Sequence, residues 1–174
     1  MSNTFMCGGS KYVLGGIQGD VIFLPVSFTG LPPKIYVQGY TLFLKTELHI
    51  SLVGIEKLIK RCHITIPNFQ EKVVADFCEF TKQHSIDFVR CQDEVRFVVR
   101  AERRSVVVMC DLANLDAFFD VLNAKYGLKL PHQPTHVTLY TLQPSIGIFL
   151  MDAEDIQSET KIVSVPEISK LIVR

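Results

Sequence analysis

An α+β fold is what the sequence predicts, as one domain or as two intimately packed lobes, and three observations carry it. Short stretches rich in branched and aromatic residues recur along the 174 residues. Two longer stretches repeat their apolar residues at helical spacing. Those two helices separate groups of strands, which suggests α+β rather than a sandwich or a helix bundle. No short-period repeat or low-complexity run interrupts the pattern.

Taken in order, residues 1–34 read as a lead-in of unassigned role. Gly8, Gly9, Gly15, Gly16 and Gly19 make its start loop-like, and Val21 to Val26 form a short buried strand. A phosphate-cradling loop would need G-x-x-x-x-G-K-[ST] between a strand and a helix, and Ser10-Lys11 stand in the wrong order for it. After the break at Pro32-Pro33, residues 35–174 read as a single bilobal domain. Strands are expected at Ile35 to Val37, Tyr40 to Leu44 and Glu47 to Val53, and a helical turn or two at Ile55 to Arg61. Asn68, with Glu71 three residues on, has the spacing of a capping box for a helix from Phe69 to Gln83. Three strands follow, Ile86 to Cys91, Val95 to Val99 and Ser105 to Cys110. A second helix from Asn114 to Lys125 turns Leu115, Phe118, Phe119 and Leu122 inward and stops at Gly127. Strands at Thr135 to Leu142 and Ile146 to Met151, a short helix from Asp152, a strand at Lys161 to Val165 and a final packed segment complete the reading.

Composition narrows the function classes. The 18 basic and 18 acidic residues cancel, so there is none of the basic excess that a protein coating long nucleic acids requires; a small anion held by a few local groups remains open. The five cysteines, Cys7, Cys62, Cys78, Cys91 and Cys110, are odd in number and form no C-x-x-C pair. That pattern predicts neither a zinc knuckle nor a disulfide framework, but free thiols in a reducing cytoplasm. Met1 to Ser10 lacks the basic and apolar regions of a secretion signal. The longest apolar runs fall far short of the roughly 20 residues that span a bilayer. A cytoplasmic protein with no membrane partner is expected.

The chemistry concentrates in histidines. Three of the five begin the pattern His, apolar, Ser or Thr, apolar: His49-Ile-Ser-Leu52, His63-Ile-Thr-Ile66 and His136-Val-Thr-Leu139. In a strand, residues i and i+2 point to one face, about 6.6 Å apart, while i+1 and i+3 point to the other. Each motif thus presents an imidazole and a hydroxyl together, anchored by a greasy side: Leu48, Ile50 and Leu52 in the first, Val137 and Leu139 in the last. Two such strands facing one cleft would supply one imidazole to accept a proton and another to donate one, the division that in-line displacement at phosphorus needs. The hydroxyls of Ser51 and Thr138 would hold nonbridging phosphate oxygens. Such a site needs no metal, nucleotide cofactor or covalent intermediate.

With two H-x-[ST] motifs on strand-like segments 87 residues apart, the chain resembles the 2H phosphoesterase superfamily over roughly Tyr40 to Met151. That superfamily includes the bacterial 2′-5′ RNA ligases and the 2′,3′-cyclic nucleotide phosphodiesterases. The resemblance implies a two-lobed α+β fold with pseudo-twofold related antiparallel sheets around a cleft, and motif strands near residues 47–53 and 135–142. It further implies metal-independent cleavage or joining of a ribose 2′-linked phosphodiester, catalysed by His49 and His136, with a nucleotide or RNA end as substrate. Ser51 stands where the commoner family residue is threonine and keeps the hydroxyl. A noncatalytic RNA- or nucleotide-binding module using the same cleft is the alternative.

His63 competes with His49 for the first motif, but Pro67 and a helix start follow it closely. Lys45 shares the alternating face of His49 and is a candidate to border the site or a solvated strand end. Tyr140, two residues beyond Thr138, is a candidate to stack on a base or to fill space. Arg100 belongs to the densest basic stretch, with Arg96, Arg103 and Arg104, and is a candidate to meet phosphate. His132 and His136 lie about 13 Å apart on an extended chain, too far to share a metal.

Overall fold

The computed structural model describes residues 3–15, 20–144 and 146–168. In chain order the elements are β1 (Asn3–Cys7), β2 (Ser10–Gly15), β3 (Val21–Pro25), β4 (Lys34–Val37), β5 (Tyr40–Leu44), β6 (His49–Gly54), α1 (Ile55–Arg61) and α2 (Phe69–Thr81). They continue with β7 (Phe88–Arg100), β8 (Arg103–Leu112), α3 (Leu115–Tyr126), β9 (His136–Thr141), α4 (Ala153–Glu159) and β10 (Thr160–Ile162). The fold is α+β with a mostly antiparallel sheet, as its patterning predicts. The chain forms two compact units: residues 1–25, 51–88 and 112–133 make the first, and 26–50, 89–111 and 134–174 the second.

The first unit gathers β1, β2, β3 and the three longer-range helical pieces α1, α2 and α3 around an aromatic core. Phe77 of α2 packs edge-on against Tyr12 of β2, with ring centroids 4.9 Å apart, and against Phe118 of α3 at 5.3 Å. Tyr12 donates its buried hydroxyl to the Ile86 carbonyl at 3.3 Å, so the ring enters the core without an unsatisfied polar end. Here the loop-like reading of the chain start is corrected. Gly8 and Gly9 both take positive φ (58° and 84°), as a two-residue type I′ turn demands, and Cys7 pairs with Ser10 across it. A Cβ on Gly8 would fall 1.8 Å from the Thr81 carbonyl oxygen, so only glycine fits where the hairpin meets α2. The same approach brings Cys7 to Cys78, with Cα atoms 5.0 Å apart, and the two form a disulfide where the spacing predicted thiols. Gly16, Gly19 and the final segment after Ile168 lie outside the described residues.

Two helix ends differ in an instructive way. Gly127 closes α3 in the left-handed conformation, as expected. Asn68 precedes α2 in that same left-handed conformation (φ 53°) and makes no side-chain cap, because a capping side chain needs an extended backbone at that position.

In the second unit, which includes only the His49–Ile50 end of β6, the strand order is β6-β9-β8-β7-β10, and the β4–β5 hairpin joins β9 through β5. The strands expected at 86–91 and 95–99 are one continuous strand, β7. Its polar centre does not break it, because those side chains bond outward: Gln92 Nε2 donates to Asp111 at 2.6 Å and Arg96 Nε to Glu94 at 2.6 Å. Residues 146–151, expected as a strand, form none. They run as a segment whose side chains Ile148 and Leu150 pack on Val98, Val107 and Met109. Arg100 and Asp155 fix that segment: Arg100 Nη1 donates to the Phe149 carbonyl at 2.8 Å, and Asp155 Oδ2 accepts from the Met151 N–H at 2.8 Å. Asp152 caps α4 by accepting from the backbone N–H groups of Glu154 and Asp155, both at 3.0 Å. No helix of the described residues is long and apolar enough to cross a membrane.

Candidate functional site

The site begins from one rung of the sheet. Ile50 of β6 lies directly across from Val137 of β9, and both are fully buried. Residues opposite one another in an antiparallel pair point to the same face, and their neighbours point to the other. His49 therefore stands across from Thr138 on the face opposite Ile50, and His136, two residues along β9, shares that face. The alternation expected for both motifs places these three side chains together within the second unit. Ser51 keeps the parity of His49 two residues along β6, and it is the first residue of the other unit. Gln133 Nε2 donates to the Ser51 carbonyl and holds the strand there.

Lys45 joins the same face. Its N–H donates to the Leu139 carbonyl at 2.8 Å, and a Cβ on Gly147 would stand 3.5 Å from its Cε and 3.7 Å from Thr138 Oγ1. The backbone of residues 146–148 thus passes close over Lys45 and Thr138. The two rings meet different surroundings. Burial, then the Lys45 ammonium, then His136 push the His49 imidazole down to about 4 from 6.5, so it is neutral at pH 7. His136 is only 5% exposed. Its Nδ1 lies 3.2 Å from the Pro134 carbonyl oxygen and its Nε2 lies 3.3 Å from that of Ile148. A neutral ring has one N–H for these two acceptors, whereas the imidazolium has two. Both ring nitrogens of His136 thus face carbonyl oxygens. Burial likewise lowers the Lys45 ammonium from its ordinary range.

Tyr140 and Arg100 are placed elsewhere. On β8, Val106 opposes Tyr140 and Val107 opposes Thr138, so two residues face three and Leu139 is the additional one. This β-bulge breaks the alternation and turns Tyr140 to the face opposite Thr138. The ring is fully buried, its hydroxyl donates to the Pro32 carbonyl at 2.9 Å, and burial pushes it up to about 12; Tyr140 fills the core instead of presenting a stacking face. Arg100 spends its guanidinium on Glu159, at 2.8 and 2.7 Å from Nε, as well as on Asp155 and Phe149. It braces the covering segment rather than meeting phosphate. His63 is exposed in the turn after α1 with positive φ (49°), so its motif lacks the strand that would align imidazole and hydroxyl. His132 is held on α3 by Asp120 at 2.9 Å. Among the described residues, no three His, Cys, Asp or Glu side chains converge as ion ligands would. The covering segment is the feature missed by strand patterning, and Gly147 between two isoleucines was its only local signal.

The depressed His49 has a measurable consequence. A ring that binds its proton more weakly folded than unfolded destabilises the fold as pH falls below about 6.5, and the loss is complete near 4. The shift corresponds to about 3 kcal/mol. Urea unfolding at pH 7 and pH 4 should show the wild type losing about that much more stability than His49→Gln, which cannot titrate; equal losses would contradict the assigned burial of the ring.

Compared with the models of known families, with curated proteins and with solved structures, the chain matches none of them.

Proposed function

We propose that the chain is a phosphoesterase of the 2H type, acting on a ribose 2′-linked phosphodiester such as a 2′,3′-cyclic phosphate, an RNA end or a 2′-5′ linked oligonucleotide. The observation that carries this reading is the placement of His49, His136 and Thr138 on one face of the β6/β9 pair, with His49 held neutral and His136 framed by two carbonyl acceptors. For a cyclic phosphate, His49 removes the proton of an attacking water as its oxygen bonds to phosphorus. The bond from phosphorus to one ribose oxygen breaks, and His136 delivers its proton to that oxygen, which replaces the Ile148 carbonyl as acceptor of the Nε2 proton. Thr138 and Lys45 take the negative charge that builds on the nonbridging oxygens. The product is a ribose phosphomonoester, and the histidines exchange protonation states in each turnover.

Because the side chains supply both acid and base, hydrolysis of a 2′,3′-cyclic nucleotide should persist in excess EDTA. The acid limb of kcat/KM, which reports the free enzyme, should lie near 4 instead of near neutrality. Loss of activity in chelator, restored by zinc or manganese, would sink the mechanism. The covered state of His136 and Thr138, 5% and 9% exposed, favours one second reading: a noncatalytic nucleotide-binding module. Saturable binding of the cyclic nucleotide with no turnover at any pH would select it.

A further inference from the structure

The β4–β5 hairpin carries an uncovered aromatic surface. Lys34 lies across from Phe43 and Tyr36 across from Thr41, so these four side chains share one face, and all four are exposed. Tyr36 is 71% exposed and Phe43 42%, although burying such a ring is worth about 1.5–3 kcal/mol. The other face of the hairpin, with Ile35, Val37 and Leu42, is buried. Register connects the exposed face to the histidines. Phe43 opposes Thr141 and Leu44 opposes Tyr140, and the bulge at Leu139 puts Tyr140 on the face of Val137. Phe43 consequently points to the face of Thr138, His49 and His136. From Thr141 to Thr138 is three residues of β9, about 10 Å. Lys45 stands along that path, two residues beyond Phe43.

We propose that Tyr36 and Phe43 form a base-stacking platform for single-stranded RNA, whose terminal phosphate lies at Lys45 and the histidines. The position of that phosphate rests on the two-histidine reading. Aromatic rings on a flat sheet surface, interleaved with lysines, bind single strands because every base has a π-face and every linkage a negative charge. The continuity of this face with the histidines, and the charge of Lys34 and Lys45, distinguish an RNA strand from a protein partner. The substrate is then an oligonucleotide end, with the nucleotides next to the reacting phosphate held on the hairpin.

The test is fluorescence anisotropy of the full chain with a 5′-labelled ten-nucleotide single-stranded RNA ending in a 3′-phosphate. Tyr36→Ala and Phe43→Ala should each weaken binding at least about tenfold, while Tyr36→Trp and Phe43→Trp retain it. Hydrolysis of a 2′,3′-cyclic mononucleotide should be unchanged within about twofold in all four, which also reports intact folding. Equal RNA affinity in wild type and the alanine variants overturns the platform, as does self-association of the wild type that those variants abolish without change in RNA binding. The two readings fail separately. Cyclic nucleotide turnover without aromatic dependence of RNA binding removes only the platform. Aromatic-dependent binding with no turnover of any cyclic phosphate upholds the platform and removes the phosphoesterase.

Discussion

Alanine at His136 is expected to lower turnover of a 2′,3′-cyclic nucleotide by about 10² to 10⁴-fold, the usual contribution of a positioned acid or base. Alanine at His49 should cause a loss of the same order, by a different route. Without His49 the attacking water keeps its proton; without His136 the ribose oxygen leaves as an alkoxide. Because both serve one transition state, the double variant should lose far less than the product of the single losses. Thr138→Ala removes only a hydrogen bond to the nonbridging oxygens and should cost less, about 10 to 10³-fold by analogy with an oxyanion donor. His136 is buried between two carbonyl groups, so His136→Asn, which retains one N–H donor, should be measured beside the alanine variant. Full activity in a folded His136 variant would show that this face does not do the chemistry assigned to it.

Phe77→Ala should be the most damaging single truncation for stability, by about 3–5 kcal/mol. The ring is fully buried and touches Phe5, Tyr12 and Phe118, at centroid distances of 6.4, 4.9 and 5.3 Å. These neighbours come from three separate elements, and the Cys7–Cys78 disulfide beside the ring restrains β1 and α2 from closing the void. Collapse around the cavity is limited, which places the cost toward the upper end. Urea unfolding under non-reducing conditions measures it. A loss below about 1 kcal/mol would mean that the hairpin and α2 are not packed as described.

The shared face of His49, His136 and Thr138 was legible because alternation is a local property and they follow by parity; that β9 is buried on both faces was not. For Tyr140 the same parity rule gives the wrong face, and of its two readings the space-filling one stands. A bulge is created by what lies on the neighbouring strand, here Val106 and Val107, and nothing within residues 136–141 announces it. The segment at 146–151 has the apolar content of a strand, yet it finds its partners through side chains and through Arg100, about fifty residues away in sequence. Gly8-Gly9 was legible in principle as a hairpin turn, flanked by Phe5 and Tyr12, and was obscured by the density of glycines around it. Lys45 was ambiguous from sequence, since only the passage of Gly147 beside it separates a site residue from a strand end.

The interleaving of the two units along the chain has a consequence for how the protein comes off the ribosome. Neither unit is a continuous stretch, and the three segments of the second end with residues 134–174. Within that unit β9 is the strand between β6 and β8, so both of its neighbours are synthesised well before it and wait for it. The β4–β5 and β7–β8 ribbons can close early from contacts near in sequence, whereas the rung between Ile50 and Val137 joins residues 87 apart. Such distant pairing is the slow step of a folding reaction, and until it is made β6 and β8 each present an open edge to other nascent chains. His136 and Thr138 therefore arrive on the strand that joins β6 to β8. Birth of the site and closure of its vulnerable edges are a single late event.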